Sequence, residues 1–231
     1  MTTTTTPTDP QLPTRASWRN RHLLPLLPTL IAIAFALSLF GSLSADVVEG
    51  EVFFFDRPLL LLLHAHATPW WDAVMIFFTR AGSAMVMVPF NLLVLIILVV
   101  RHRRRLVLFW FTAVGGAALL NLLAKHIFGR VRPDLWLSIL PESTFSFPSG
   151  HAMQSMAVAG ALAVLAWPTR GRWLALATAI VFVALVGTSR IYLGVHFPSD
   201  ILAGWTASLT WILVLRSVLS VGGRAAATLP S

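Results

Sequence analysis

The sequence predicts an all-α integral membrane bundle of six transmembrane helices, with an extra interfacial helix on the extracytoplasmic side. The chain of 231 residues is 57% hydrophobic and 11% charged, with a mean hydropathy of +0.79, which is not the composition of a soluble domain. Several windows contain no charged residue over 15 to 21 residues, and a helix needs about 20 to cross a bilayer. Short arginine-rich links separate these windows, as is usual in membrane proteins.

The composition also limits the partners and the chemistry. The net charge of +8 comes mostly from arginines in the short links, whereas nucleic-acid binding needs a basic face on a soluble fold. The chain has no cysteine, which excludes a disulfide framework, a thiolate nucleophile and a cysteine-ligated zinc site. We therefore expect the membrane bilayer as a partner, no nucleic acid and no obligate protein partner.

The N-terminal residues 1–17 are rich in threonine and proline and have little apolar surface to bury, which predicts a disordered cytoplasmic tail. Three arginines then precede the uncharged residues 23–43, the first predicted span. A signal peptide is an alternative reading of this basic and apolar start. A run of 21 residues without a clear small-residue cleavage site favours a retained span.

The next stretch, FFFDRPLLLLL at residues 53–63, is too short to cross a bilayer and predicts an interfacial or re-entrant helix. Trp70 and Trp71 resemble an interfacial aromatic belt, so the second span is predicted at residues 77–100. Arg80 lies near the outer end of this span. Snorkelling or pairing with Asp72 is the favoured role for Arg80, and contact with a lipid headgroup is the alternative.

The remaining predicted spans cover residues 106–124, 150–167, 173–192 and 199–215. Residues 18–216 then form one transmembrane domain, followed by a cytoplasmic tail at 217–231. Of the 17 lysines and arginines, eleven fall on the side of the N-terminus and six on the opposite side, which places both termini in the cytoplasm. In this topology the polar ends of the last four spans meet on the extracytoplasmic side.

Three short motifs occupy those span ends: K-x6-R-P (Lys125, Arg132, Pro133), P-S-G-H (Pro148, Ser149, Gly150, His151) and S-R-x5-H-x3-D (Ser189, Arg190, His196, Asp200). The three cations in them can neutralise a phosphate dianion. The amides of Ser149, Gly150 and His151 are expected to point from a helix N-terminus at the same oxygens, and Gly150 allows close approach of a ligand.

His196 and Asp200 suit a nucleophilic pair. Pro198 predicts a helix start here, which puts Asp200 in the first turn within reach of the imidazole. A carboxylate that bonds one ring nitrogen leaves the other free to attack an electrophile. A second histidine, His151, can then serve as the acid that protonates the leaving oxygen.

Each piece also has a structural interpretation. Lys125 and Arg132 are typical topology or headgroup charges, and Ser149 is a typical helix cap. Asp200 complements a helix dipole. The occurrence of all three motifs on one side of the membrane favours a functional site.

At these residues the sequence resembles the phosphatidic acid phosphatase type 2 and vanadium haloperoxidase superfamily, whose three motifs occur in order between Lys125 and Asp200. The predicted spans resemble the bacterial membrane lipid phosphatases of that family. The resemblance implies that Lys125, Arg132 and Arg190 bind phosphate and that Ser149 and Gly150 complete the cradle. It further implies that His151 is the general acid, that His196 is the phosphohistidine nucleophile and that Asp200 orients it. No metal or other cofactor is implied for hydrolysis.

The expected function is hydrolysis of a lipid phosphate or diphosphate in the bacterial cytoplasmic membrane, with the active site on the extracytoplasmic side. Undecaprenyl diphosphate, phosphatidylglycerophosphate and phosphatidic acid all fit, and undecaprenyl diphosphate leads if the chain is bacterial. One alternative is a vanadate-dependent haloperoxidase, although such relatives are typically soluble. Another is a non-catalytic transport component, whose polar residues should line a path across the bilayer. The sequence assigns no role to His64, His66 or His126.

Overall fold

The computed structural model describes residues 26–226, with side chains described through residue 218. Within this range the regular elements are all helices: α1 Leu27–Glu49, α2 Asp56–Ala65, α3 Pro69–Ala81, α4 Ala84–Val100, α5 Arg104–Phe128, α6 Gly150–Ala166, α7 Arg172–Tyr192 and α8 Pro198–Ala226. The predicted all-α class is confirmed for the described part of the chain. Residues 1–17, predicted as a tail, lie outside it.

Four of these helices are long and apolar enough to cross a membrane: α1, α5, α7 and the part Pro198–Val218 of α8. Helices α3 and α4 pass the same criterion as a pair that is bent by 45°. Helix α6 is apolar but has 17 residues. The described residues therefore contain four or five candidate spans by length and composition.

The second predicted span is not one continuous helix. The chain forms α3 and α4, which are separated at Gly82 and Ser83. Thr68 caps α3, since its hydroxyl accepts the Trp71 amide at 3.3 Å, and Pro69 follows in the first turn, so the helix begins before residue 77. At Gly82 a Cβ atom would lie 2.6 Å from a methyl group of Val186, so the close approach of α7 requires glycine at the bend.

Other helix ends differ from the predicted spans in length. Helix α1 continues past residue 43 to Glu49, where Gly50 ends it in a left-handed conformation with φ 75°. Helix α5 extends the predicted span at both ends, from Arg104 to Phe128. Helix α8 begins at Pro198 as predicted but continues to Ala226, beyond the predicted domain end at residue 216.

Helix α6 lies at the centre of the bundle, between α5, α7 and α8. Its alanines at 152, 157 and 161 are fully buried, which lets neighbouring helices approach closely. Where α6 and α8 cross, a Cβ atom at Gly204 would lie 2.9 Å from both the Ala152 methyl and the Ser149 carbonyl oxygen. The start of α6 is thereby fixed against the first turns of α8.

The ten-residue helix α2 matches the predicted short helix. Its His64 ring stacks on Trp136 with the ring centres 4.1 Å apart. Trp136 belongs to the loop between α5 and α6, and it occupies the space that a side chain at Gly194 would need. Gly194 has φ +70°, a conformation that favours glycine. Helix α2 and this loop therefore pack around the segment that leads to His196.

Candidate active site

The three sequence motifs meet where several helix ends gather. Lys125 is in the last turn of α5, His151 is in the first turn of α6, and Arg190 is in the last turn of α7. Asp200 is in the first turn of α8. His196 lies in the short connection between α7 and α8, where the left-handed Gly194 turns the chain back after α7. The topology thus brings residues from distant parts of the sequence to one end of the bundle.

His196 and Asp200 form the buried pair that the sequence predicts. Nδ1 of His196 lies 3.3 Å from Oδ2 of Asp200, and the two side chains are 1% and 0% exposed. A ring that carries its proton on Nδ1 donates it to the carboxylate. The other nitrogen, Nε2, is then free to accept a hydrogen bond from Nη1 of Arg132 at 3.1 Å.

Burial lowers the pKa of His196 to about 4, although the hydrogen bond and the charge of Asp200 act in the opposite direction. The charges of Arg190 and Arg132 also disfavour a second proton on the ring. The imidazole is therefore neutral near neutral pH, the state that a nitrogen nucleophile requires.

Lys125 and Arg132 are joined through the loop before α6. Nζ of Lys125 donates to the Thr144 hydroxyl at 2.9 Å and to the Phe145 carbonyl at 2.8 Å. Nε of Arg132 donates to the Thr144 carbonyl at 2.6 Å, and its Nη1 donates to the Val195 carbonyl at 2.6 Å. Burial lowers the pKa of Arg132, but the guanidinium stays charged near neutral pH.

Arg190 is the most buried cation of the cluster, at 2% exposed. Its guanidinium bonds the Thr79 hydroxyl on α3 and the carboxylate of Glu142. Its Nε atom is buried and has no hydrogen-bond partner among the described residues. An unpaired buried donor of this kind destabilises the protein unless a ligand oxygen accepts a hydrogen bond from it.

Glu142 is a site residue that the sequence analysis did not identify. Its Oε2 atom lies 2.8 Å from Nη2 of Arg132, its Oε1 atom bonds Arg190, and Oε1 lies 3.9 Å from Nδ1 of His151. Burial alone raises the pKa of Glu142, but the charges of Arg190 and Arg132 outweigh burial and lower it. A sequence clue exists, because Glu142 is the one acidic residue between Asp134 and the P-S-G-H motif.

Arg130 and Ser146 were also missed as site residues. Nη1 of Arg130 lies 2.6 Å from Oδ1 of Asp200, and the Ser146 hydroxyl donates to Oδ2 of the same carboxylate. Arg130 falls inside the variable spacer of the K-x6-R-P motif, so the motif gives it no weight.

The start of α6 is arranged partly as expected. The Ser149 hydroxyl accepts the Ala152 amide at 3.4 Å, as a helix cap does. The Ser149 amide donates to the Asp200 carbonyl at 3.1 Å, so the expectation that it is free to bind phosphate is wrong. A Cβ atom at Gly150 would lie 3.0 Å from the side-chain oxygen of Asn121, so glycine here makes room for the Asn121 side chain.

The residues without an assigned role make local contacts. Nδ1 of His66 lies 2.8 Å from the Leu62 carbonyl oxygen, and His126 packs edge-on against Phe145.

Arg80 is exposed and forms no ion pair with Asp72 within the described structure. Both belong to α3 and are eight residues apart, about 12 Å along a helix, so the pairing prediction is wrong. Asp72 instead accepts the Tyr192 hydroxyl at 2.6 Å.

The described residues contain no group of three or more histidine, aspartate or glutamate side chains that could hold a metal ion. The site instead combines a neutral imidazole, a second histidine and three basic side chains around one small volume. Such a set can bind a tetrahedral anion, attack it with a nitrogen and exchange protons with its oxygens.

Comparisons with known proteins identify relatives of this chain. The sequence pattern of the PAP2 superfamily matches residues 105–222. Phosphatidylglycerophosphatase B of Bacillus subtilis is 31% identical over 153 residues, which cover 64% of this chain and 75% of that protein. Undecaprenyl-diphosphatase of Sulfolobus acidocaldarius is 28% identical over 189 residues, which cover 79% of this chain and 87% of that protein.

A solved structure shares the fold. The crystal structure of a transmembrane PAP2 type phosphatidylglycerolphosphate phosphatase from Bacillus subtilis superposes with a TM-score of 0.69 at 26% sequence identity. The superposition covers 82% of this chain and 94% of that protein. The similarity thus extends beyond the motifs to the helical bundle that carries them.

Proposed function

Because the chain belongs to the PAP2 superfamily, we propose that it hydrolyses a lipid phosphate or diphosphate through a phosphohistidine intermediate on His196. The chain is an integral membrane protein and a hydrolase of lipid phosphates, as its relatives are. The observation that carries the mechanism is the buried pair of His196 and Asp200. Nε2 of His196 faces the cluster of Lys125, Arg132 and Arg190.

In the first step Nε2 of His196 attacks the phosphorus atom, and the bond from phosphorus to the lipid oxygen breaks. Protonated His151 gives its proton to the departing oxygen. Asp200 accepts the hydrogen bond from Nδ1 and stabilises the positive charge that forms on the ring. The basic side chains neutralise the charge on the equatorial oxygens, which is most of what phosphoryl transfer requires of a protein.

In the second step water attacks the phosphohistidine. Neutral His151 takes a proton from the water, the new phosphorus–oxygen bond forms, and the phosphorus–nitrogen bond breaks. Inorganic phosphate leaves, and both histidines return to their starting protonation states. One histidine therefore acts as acid and then as base while the other carries the phosphoryl group.

The contacts of Arg190 and Glu142 support phosphate binding among these residues. The free Nε–H of Arg190 provides a donor for a phosphate oxygen. The carboxylate of Glu142 now bonds Arg132 and Arg190, and its oxygens mark positions that phosphate oxygens can take on the same two cations. Lys125 completes the cradle from α5, and the amides of Gly150 and His151 at the start of α6 are proposed to bind the same oxygens.

An apolar groove supports an amphiphilic substrate. Its volume is about 710 Å³, and residues of α4, α6 and α7 line it, including Phe90, Leu162 and Phe182. One wall includes Ala81, which adjoins Gly82 beside the His151 ring. Undecaprenyl diphosphate, phosphatidylglycerophosphate and phosphatidic acid each combine a phosphate group with an apolar chain.

The proposed topology has six spans: α1, the bent pair α3 and α4, α5, α6, α7 and α8. The 17 residues of α6 are at the lower limit of about 17–25 for a crossing helix. Helix α2 then lies at the interface, and residues 18–216 form the phosphatase domain, after which the last turns of α8 continue to Ala226 on the cytoplasmic side. The protein resides in the bacterial cytoplasmic membrane, acts without an obligate protein partner, and has its site on the extracytoplasmic face.

Cysteine labelling tests the sidedness, since the chain has no cysteine of its own. The exposed residues Leu137, in the loop before α6, and Thr169, in the link before α7, are each replaced by cysteine. A membrane-impermeant maleimide is expected to label Leu137→Cys in intact cells and Thr169→Cys only after lysis. The reverse pattern would place the site in the cytoplasm.

The function is tested by measuring phosphate release from a panel of lipid phosphates and diphosphates, with and without a chelator. We expect release from at least one of the three lipids named above and no loss of rate with the chelator. Solute flux in liposomes without phosphate release would support a transport component instead. Halide oxidation after vanadate loading without phosphate release would support a haloperoxidase.

A further inference from the structure

Asp200 has a cationic partner that lies outside the phosphate cradle. Its side chain is fully buried, and its Oδ1 atom lies 2.6 Å from Nη1 of Arg130. The other oxygen, Oδ2, accepts hydrogen bonds from the Phe197 amide at 2.8 Å, from Ser146 and from the ring of His196. A buried carboxylate without a cation nearby is costly, so Arg130 keeps Asp200 ionised and leaves Oδ2 turned toward His196.

A second carboxylate holds Arg130 in turn. Nη2 of Arg130 lies 3.0 Å from Oδ2 of Asp56, the first residue of α2. The central carbon of the guanidinium lies 4.2 Å from the ring centre of Phe197. One planar group therefore bonds two carboxylates through different nitrogens and also covers an aromatic ring, which a lysine ammonium cannot do in the same way.

Asp56 also fixes the start of α8. It is 1% exposed; its Oδ1 atom accepts the Ser199 amide at 2.9 Å, and its Oδ2 atom accepts the Ser199 hydroxyl at 2.6 Å. Ser199 lies in the first turn of α8, so a carboxylate from another helix satisfies one of the free amides at this N-terminus. Helix α2 is thereby joined to the helix that carries Asp200 by buried polar contacts.

We propose that Arg130 and Asp56 are positioning residues for the reaction: Asp56 holds Arg130, and Arg130 holds Asp200 in the orientation that aligns His196. This inference rests on the proposed function. It assigns neither residue a contact with substrate. Lys125, Arg132 and Arg190 still bind the phosphate when Arg130 is replaced. The effect therefore falls on turnover and on the rate of His196 phosphorylation rather than on KM.

The test uses the full chain in detergent micelles, with the three lipids named above as probes, and compares kcat on the lipid that the wild type hydrolyses fastest. Arg130→Gln is expected to lower kcat about 10- to 100-fold, as loss of a residue that supports a site ligand does, with KM changed by no more than about twofold. Asp56→Asn is expected to give a smaller loss of kcat. Arg130→Lys keeps a positive charge near Asp200 and is expected to recover part of the kcat, and it serves as the variant if Arg130→Gln does not fold.

A double variant separates the two roles. Because Asp56 acts through Arg130, the variant with both Arg130→Gln and Asp56→Asn is expected to have the kcat of Arg130→Gln alone. If the kcat losses of the two single variants instead multiply in the double variant, Asp56 does not act through Arg130.

Asp72→Asn is the matched control, since Asp72 also joins two helices by accepting the Tyr192 hydroxyl at 2.6 Å but lies outside this network. Its kcat is expected to equal that of the wild type. If the wild type is active and both Arg130→Gln and Arg130→Lys keep its kcat, the positioning role is overturned while the proposed function stands. The same holds if Asp72→Asn loses as much kcat as Arg130→Gln. A wild-type protein that releases no phosphate from any lipid of the panel would overturn the proposed function and this inference together.

Discussion

Replacing His196 by alanine is expected to abolish phosphate release while the protein still folds. The expected loss in kcat is at least about 10³-fold, because the variant has no nitrogen to accept the phosphoryl group. Asp200 keeps Arg130, Ser146 and the Phe197 amide as partners, so removal of the ring does not leave the buried carboxylate uncompensated. Release of inorganic phosphate and thermal unfolding are measured on the same purified sample.

The control for this variant is His126→Ala, which removes an exposed histidine from the last turn of α5. We expect its rate to stay near that of the wild type. Full activity in His196→Ala would refute the nucleophile assignment. A loss of activity that only follows a loss of folded protein would also fail to support it, and a comparison of unfolding curves distinguishes these cases.

Replacing His151 by glutamine is expected to stop the reaction halfway when the leaving group needs no proton. With a lipid phosphate both steps lose their proton exchange, and the rate falls roughly 10²- to 10⁴-fold. With p-nitrophenyl phosphate the first step still proceeds, because nitrophenolate leaves without an acid. Water then attacks slowly without a base, so phosphohistidine accumulates on His196.

Two measurements detect this intermediate: a burst of nitrophenolate that matches the enzyme concentration, and acid-labile phosphate on the peptide that contains His196. The double variant with His151→Gln and His196→Ala is the control and is expected to show neither. Slow turnover of the aryl phosphate without a burst, in a folded His151→Gln protein, would contradict the assignment of His151 to the second step.

The structure brings together the residues that the motifs identify, although their chemical roles remain predictions. Lys125, Arg132, Arg190 and Glu142 are linked by contacts through the loop before α6, and His196 pairs with Asp200. The motifs were informative because polar and charged groups at the ends of apolar helices are costly unless they are paired. Their spacing on separate spans, together with a consistent topology, was enough to predict one shared site.

The partners of these residues could not be predicted in the same way. Glu142 and Arg130 lie in the segment that connects α5 and α6, which shows neither helical nor strand periodicity. No sequence pattern therefore indicates where their side chains point. Asp56 precedes Asp200 by more than a hundred residues, and its contact with Ser199 depends on how α2 docks against α8. Such long-range contacts follow from packing rather than from local sequence.

The sequence by itself determined the helical membrane class and the residues proposed to carry the chemistry, because burial of apolar side chains in lipid and the cost of isolated charges are local properties of the chain. Only the tertiary structure decided the bend at Gly82 and the second set of charges around Asp200. Both depend on the distance of closest approach between elements far apart in sequence: α7 presses Val186 against Gly82, and α2 brings Asp56 to Arg130.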